Sequence, residues 1–307
     1  MRRNIKLLVI AGSTASGKSE LAAKTARILD GEIVSADSVQ VYRHFNIGSA
    51  KPQRILRDAV PHHLIDIMEP DQPFTMWDFR VAAQKAISEI TSRGKLPVLV
   101  GGTGLYLKAL LENLDGGAAS NPHTRALLKS ELEAGGLTNL YERLRGIDPV
   151  RAQEIHPNDR QRIIRALENA QSPQLSKKAD HFTFSQYDAK FFVLGGPRKP
   201  LYERIDARVE EMFENGWIDE TRAIVDMGYE KKCKPFHCVG YRQIMLYLEG
   251  ELPKEELVPR VQRETRRYAK RQITWFAKVK GAVWLNSLSA GEDDMNNLAD
   301  HICGYFK

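Results

Sequence analysis

Cysteine is scarce: Cys233, Cys238 and Cys303 are the three in 307 residues. So odd and sparse a set excludes a disulfide framework and points to a reducing, cytoplasmic setting. Cys233, His237 and Cys238 fall one ligand short of a structural zinc site, so free thiols are expected. No apolar run approaches the roughly 18 residues a membrane helix needs, so no membrane partner is expected. The apolar stretch from Ile5 to Ala11 feeds a glycine-rich turn and not a cleavage site, which reads as a buried strand and not a leader. Internal repeats are absent too. A general basic surface is also lacking: the net charge of +6 is gathered between Pro259 and Lys280, where eight basic residues face one acid, Glu264. That window carries +7 and the rest of the chain −1, so the basicity is one local feature.

Hydrophobic residues at 42% and charged residues at 27% are ordinary for a globular chain long enough to bury one large core or two modest ones. The first hundred residues alternate short apolar runs with helical patterns. Strands are expected over residues 5–11, 32–36 and 96–100, with helices over 17–29 and 75–93, the latter opened by Thr75 and Asp78 as cap and third-position acid. Such alternation predicts an α/β fold, a parallel sheet flanked by helices. From Asp115 the chain turns polar and helical, until residues 190–195 restore the strand pattern, and Ala282 to Leu285 supplies a last strand. The expected division is a core domain of residues 1–114 and 190–307, interrupted by a helical insertion, 115–189. Residues 171–180 read as its least structured part.

Residues 12–19 read Gly12, Ser13, Thr14, Ala15, Ser16, Gly17, Lys18, Ser19, a full match to G-x-x-x-x-G-K-[ST] between a strand and a helix. In that P-loop, also the ATP-binding motif of NTPases, backbone N–H groups converge on phosphate oxygens at the positive end of a helix. Lys18 would neutralise phosphate charge and the Ser19 hydroxyl would help hold Mg²⁺. The strand over 96–100 ends in Gly101-Gly102-Thr103-Gly104, without the Asp that many ATPases carry. The acid stands instead at the end of the second strand, Asp37, where it can act as a base or orient an acceptor; capping of the following turn is the alternative. Phosphoryl transfer from ATP to a small acceptor fits these residues as well.

Beyond Asp37 the sequence resembles the tRNA dimethylallyltransferases, also called tRNA isopentenyltransferases. The resemblance runs through Asp37-Ser38-Val39-Gln40-Val41-Tyr42-Arg43, Ile47-Gly48-Ser49-Ala50-Lys51-Pro52, Pro61-His62-His63-Leu64 and Gly101 to Tyr106. It continues through Arg162-Ile163-Ile164-Arg165-Ala166-Leu167-Glu168, Cys238-Val239-Gly240-Tyr241-Arg242-Gln243 and Lys270-Arg271-Gln272-Ile273-Thr274-Trp275. Each block is weak alone; in this order behind a P-loop they are specific. The resemblance implies transfer of a dimethylallyl group from dimethylallyl diphosphate to N6 of the adenosine 3′ of the anticodon, with Mg²⁺. It makes the loop a holder of a diphosphate leaving group. It assigns Asp37 to the adenine amino group, Thr103 to the reacting base and Arg208 to diphosphate oxygens. It implies tRNA contact at Ser38, Val39 and Gln40; at Gln161, Arg162, Ile163, Ile164 and Arg165; at His237, Cys238, Val239, Gly240, Tyr241 and Arg242; and at Arg125. The anticodon stem-loop is the expected partner of a monomer.

Placed on a helix, the basic window puts Val261, Tyr268, Trp275 and Val279 on one stripe and most of its arginines and lysines on the other face. A solvated basic face over a packed stripe is the plain reading; with the resemblance, RNA contact is expected and the aromatics are assigned to the core. The adjacent His62 and His63 should point to opposite sides of a strand, which suits structural or substrate-lining roles better than metal binding.

Overall fold

The computed structural model describes residues 4–112, 122–171, 187–288 and 292–306. Its contacts divide the chain into Met1–Asn113 with His181–Lys307, and Leu114–Asp180.

In the first unit the chain runs β1 (Ile5–Gly12), α1 (Lys18–Ile28), β2 (Gly31–Ser35), α2 (Arg54–Ala59), β3 (His62–His63), α3 (Met76–Ser92), β4 (Leu96–Gly101) and α4 (Gly104–Leu111). The second unit holds α5 (Pro122–Ile147), broken at Gly136 by φ 77, then α6 (Pro149–Gln153) and α7 (Arg160–Gln171). The first unit resumes with β5 (Tyr187–Gly195), α8 (Arg198–Glu214), α9 (Trp217–Asp226), α10 (Tyr241–Leu248), α11 (Lys254–Phe276), β6 (Val283–Asn286) and α12 (Glu292–Gly304).

The six strands form one parallel sheet in the order β3-β2-β4-β1-β5-β6. Parallel strands need crossover helices, which cover both faces and force continuous apolar runs. Accordingly Leu7, Leu8, Val9, Ile10 and Ala11 of β1 are all fully buried, the odd-numbered three in the core beneath α3 and α4, and Leu8 and Ile10 in the core beneath α1 and α12. All carboxyl ends of the strands open on one edge, which is where a sheet of this kind binds ligands. The expected box at the start of α3 is present, Thr75 N–H donating to Asp78 Oδ2 at 2.8 Å and Asp78 N–H to Thr75 Oγ1 at 3.3 Å.

β5 starts at Tyr187, three residues before the expected strand, and pairs there with Ile5, Lys6 and Leu7. Asp188 and Lys190 on its exposed alternation give this stretch the look of a loop, but register against β1 governs. The second unit has its own core of Leu128, Leu140, Leu144, Ile163 and Leu167, and its buried Glu168 receives both Arg125 and Arg165.

Candidate active site

The phosphate loop leaves β1 at Gly12, with φ 149, where a Cβ would stand 2.5 Å from the Leu194 carbonyl oxygen. Ala15 at φ 60 and Gly17 at φ 82 complete the wrap before α1 begins at Lys18. Ser16 Oγ donates to Ser13 O at 2.8 Å and Ser287 Oγ to Ser16 O at 2.7 Å, so these buried serines hold the loop from behind. Thr14, Ala15, Lys18 and Ser19 line a cavity of about 360 Å³; Gly12, Ser13, Ser16 and Gly17 shape it without lining it. Every residue of that wall belongs to the first unit.

Two cations enter the cavity, Lys18 from α1 and Arg208 from α8, and neither forms an ion pair among the described residues. Burial, with the Arg208 guanidinium adding, lowers the Lys18 ammonium to about 7 against the opposing pull of Asp37. Burial lowers Arg208 as well, opposed by Glu211 and Asp37. Lys18 Nζ donates to Ser13 O at 2.5 Å, but no described carboxylate pairs with either half-buried cation, so the two beside a phosphate loop describe a site built for a polyanion. The amides of Ala15, Ser16 and Gly17 meet no acceptor among the described residues and add a ring of donors.

Asp37 lies two residues beyond the end of β2. Its Oδ1 accepts from Val39 N–H at 2.8 Å and Gln40 N–H at 3.1 Å, so the turn-capping alternative holds for one oxygen. Oδ2 bonds to no described residue, and Asp37 lines the cavity. Thr103 stands behind the wall; its hydroxyl is buried without a hydrogen bond of regular geometry, beside the Tyr268 phenol. Burial and then Asp37 raise Tyr268, keeping it a neutral donor, and the same two causes push the Cys238 thiol up to about 12.

Among the wall residues absent from the sequence-predicted set, two carry polar groups next to the phosphate loop and Thr103. Gln272, buried on α11, accepts from Thr14 N–H at 2.9 Å and donates to Gly102 O at 3.0 Å, joining the phosphate loop to the turn that carries Thr103. A Cβ at Gly102 would meet its Nε2 at 2.4 Å, which explains the glycine. Tyr268, expected in the core, faces the cavity instead, with the Arg271 guanidinium 5.7 Å from its ring centroid. The Lys270-Arg271-Gln272 block was the available signal for Gln272 only. His62 lines the cavity with Nδ1 2.7 Å from Val60 O, whereas His63 Nε2 lies 2.7 Å from Glu32, so the neighbours do point apart.

Of the residues expected at tRNA, Ser38, Val39, Gln40, His237, Cys238 and Val239 line this same cavity. The Gln40 amide is already used, Nε2 donating to Ser49 O at 3.1 Å and Ala50 O at 3.2 Å. Tyr241 is fully buried and donates to Glu220 at 2.6 Å, and Gly240 is packed against Trp217. Arg242 is exposed. In the second unit Gln161 and Arg162 are exposed, but the side chains of Ile163 and Ile164 are core, and Arg125 and Arg165 are tied to Glu168. Apolar packing claims the side of α7 that carries Ile163 and Ile164, and Tyr241 at the start of α10 is likewise packed inside the first unit. On α11, Arg260, Arg263, Lys270 and Arg271 are exposed and form no ion pair among the described residues, whereas Arg266 is held by Asp206 and Arg267 by Glu264.

The IPP transferase family model matches residues 40–279, and the isopentenyl transferase model matches residues 5–57. The chain belongs to the IPP transferase family. Among its relatives, tRNA dimethylallyltransferase 1 of Trichlorobacter lovleyi is 46% identical over 284 residues, spanning 91% of this chain and 93% of that protein. The crystal structure of the full-length tRNA isopentenylpyrophosphate transferase of Bacillus halodurans matches at a TM-score of 0.73 and 38% identity, over 97% of this chain and 96% of that one. A eukaryotic dimethylallyltransferase acting on tRNA matches at a TM-score of 0.82 and 28% identity, over 98% of this chain and 79% of that one.

The fit to Mg²⁺ rests on one hard donor, the Ser19 hydroxyl, which lines the cavity and bonds to no described residue. No group of three or more His, Cys, Asp or Glu gathers to cage a metal among the described residues. Mg²⁺ keeps several waters and is bound largely through substrate phosphates, so one protein hydroxyl is a fitting donor for it.

Proposed function

We propose that the protein transfers a dimethylallyl group from dimethylallyl diphosphate to N6 of the adenosine 3′-adjacent to the anticodon in tRNA, releasing diphosphate. The observation that carries this reading is a single cavity with unpaired Lys18 and Arg208 beside the phosphate loop and a free carboxylate oxygen on Asp37. In the reaction the bond between the allylic carbon and the diphosphate oxygen breaks and a bond from that carbon to N6 forms. Lys18, Arg208 and the loop amides hold the charge that develops on the departing oxygens. Ser19 would hold Mg²⁺, which adds positive charge at the same oxygens. Asp37 Oδ2 takes the proton that N6 loses, while Oδ1 stays fixed in its turn. Thr103 and Tyr268 supply hydroxyls near Asp37 for the flipped base, and Gln272 fixes the two ends of the site relative to each other.

The RNA side is supported by the exposed cations of α11, which suit a phosphate backbone, and by Gln161 and Arg162 on the outer face of α7. A tRNA substrate suits a cytoplasmic enzyme, and a cavity walled entirely by one chain suits a monomer. Radiolabelled dimethylallyl diphosphate and unmodified tRNA test the proposal directly. Label should enter the anticodon-loop adenosine with Mg²⁺ and intact Asp37, and not with Asp37→Ala. Turnover of ATP with a small acceptor, and no label in tRNA, would replace this reading with a kinase.

A further inference from the structure

One side of α8 forms a straight run of the cavity wall: Ile205, Arg208, Val209 and Met212 recur at the spacing of a single helix face. Arg208 stands at the phosphate end, close enough to Lys18 to depress its ammonium. Met212 lies one turn further on, about 6 Å along the axis at 1.5 Å per residue. Past the end of α8 the chain turns through Gly216, at φ 89, and Trp217 opens α9 with its ring in the same wall.

Trp217 is 2% exposed and its indole N–H bonds to nothing among the described residues, so hydrogen bonding does not account for a tryptophan here. Its shape does. A Cβ at Gly48 would stand 2.1 Å from the indole and one at Gly240 1.9 Å from it, so the chain has given way on two sides to admit the ring. The ring is also fixed. Glu220 accepts from Asn46 N–H, Ile47 N–H and Tyr241 O–H, and Tyr241 Oη in turn accepts from Gly48 N–H at 3.1 Å. Such a wall does not yield to a longer ligand without breaking that set of bonds.

We propose that Trp217, with Met212, is the stop that limits the allylic donor to a five-carbon chain; this rests on the prenyl-transfer reading given above. With carbon–carbon bonds of about 1.5 Å, a five-carbon chain reaches about 5 Å from its diphosphate oxygen and a ten-carbon chain about 10 Å. The first fits the turn of helix between Arg208 and Met212, and the second runs into the indole.

The test is a competition between dimethylallyl and geranyl diphosphates for unmodified tRNA, the full-length chain compared with Trp217→Leu and the two products separated by mass. The wild-type chain should favour the five-carbon donor by more than ~100-fold, and Trp217→Leu should move that ratio toward geranyl by at least about tenfold. Geranyl transfer should rise in absolute rate while dimethylallyl transfer falls, a crossover that general damage to the core does not produce. A folded Trp217→Leu protein with an unmoved ratio, or with both rates reduced together, overturns the proposal. Should Trp217→Leu not fold, Met212→Ala, on the half-buried part of the wall, is read by the same criterion. A wild-type chain that transfers neither group to tRNA overturns prenyl transfer itself, and the stop with it.

Discussion

The Lys18 ammonium gives the site a pH dependence whose sign and size follow from its surroundings. Its protein neighbours hold it near 7, so at pH 8 about nine-tenths of Lys18 is neutral. A bound diphosphate favours the charged form and carries the group back toward its ordinary range. Binding therefore takes up a proton, close to 0 below pH 6 and about 0.9 at pH 8. The affinity for an alkyl diphosphate ester, the ligand to titrate, should fall about tenfold from pH 8 to pH 9, or ~1.4 kcal/mol, a range in which the ester, unlike free diphosphate, carries no titrating proton of its own. The same depression acts on folding in the opposite sense. The unfolded chain holds this proton up to 10.5, so between about 7 and 10.5 Lys18 makes the protein more stable as pH rises. Isothermal titration in two buffers of different ionisation enthalpy counts the proton, and Lys18→Met should abolish both the uptake and the slope. No uptake at pH 8 in the wild-type protein would refute the reasoning.

Asp37→Asn keeps an acceptor for the turn and loses the base; single-turnover transfer should fall by about 10²–10⁴ while thermal melting changes little. Asp37→Ala should lose in addition about 1 kcal/mol for each of the two turn bonds, visible in a denaturant titration. Gln272→Met removes the tie between Thr14 and Gly102, leaving buried polar groups orphaned at about 1–3 kcal/mol each, and the diphosphate affinity should drop with the denaturation midpoint. Arg263→Ala and Lys270→Ala should each weaken tRNA binding and lower the slope of log K against log salt by about 1, with diphosphate affinity unchanged.

The parallel sheet was legible because strands buried on both faces must be continuous apolar runs, and Ile5 to Ala11 is one. The start of α3 was legible because Thr75 and Asp78 satisfy each other locally. Tyr187 to Ala189 were not, since their strand character comes from pairing with β1, a partner nearly two hundred residues away. At the site, the phosphate loop and Asp37 could be read because each works within a few residues of its own position. Tyr268 and Gln272 could not. Helical periodicity places both at inward positions, and whether inward means core or cavity depends on what the loops from three other strands leave open. Ile163, Ile164 and Tyr241 show the converse. They sit inside blocks similar to those of the tRNA-modifying relatives, but burial gives their side chains to packing, so a matching block marks a region and not each side chain within it.

The central claim is that the phosphate loop holds a leaving group and not a nucleotide to be cleaved. Stoichiometry measures this most directly: the protein is incubated with unmodified tRNA, dimethylallyl diphosphate, ATP and Mg²⁺, and diphosphate, phosphate and N6-alkylated adenosine are quantified together. One diphosphate released for each adenosine alkylated next to the anticodon, with ATP untouched, is the predicted result. ATP cleavage that tracks turnover, or diphosphate release without alkylated adenosine, would contradict it.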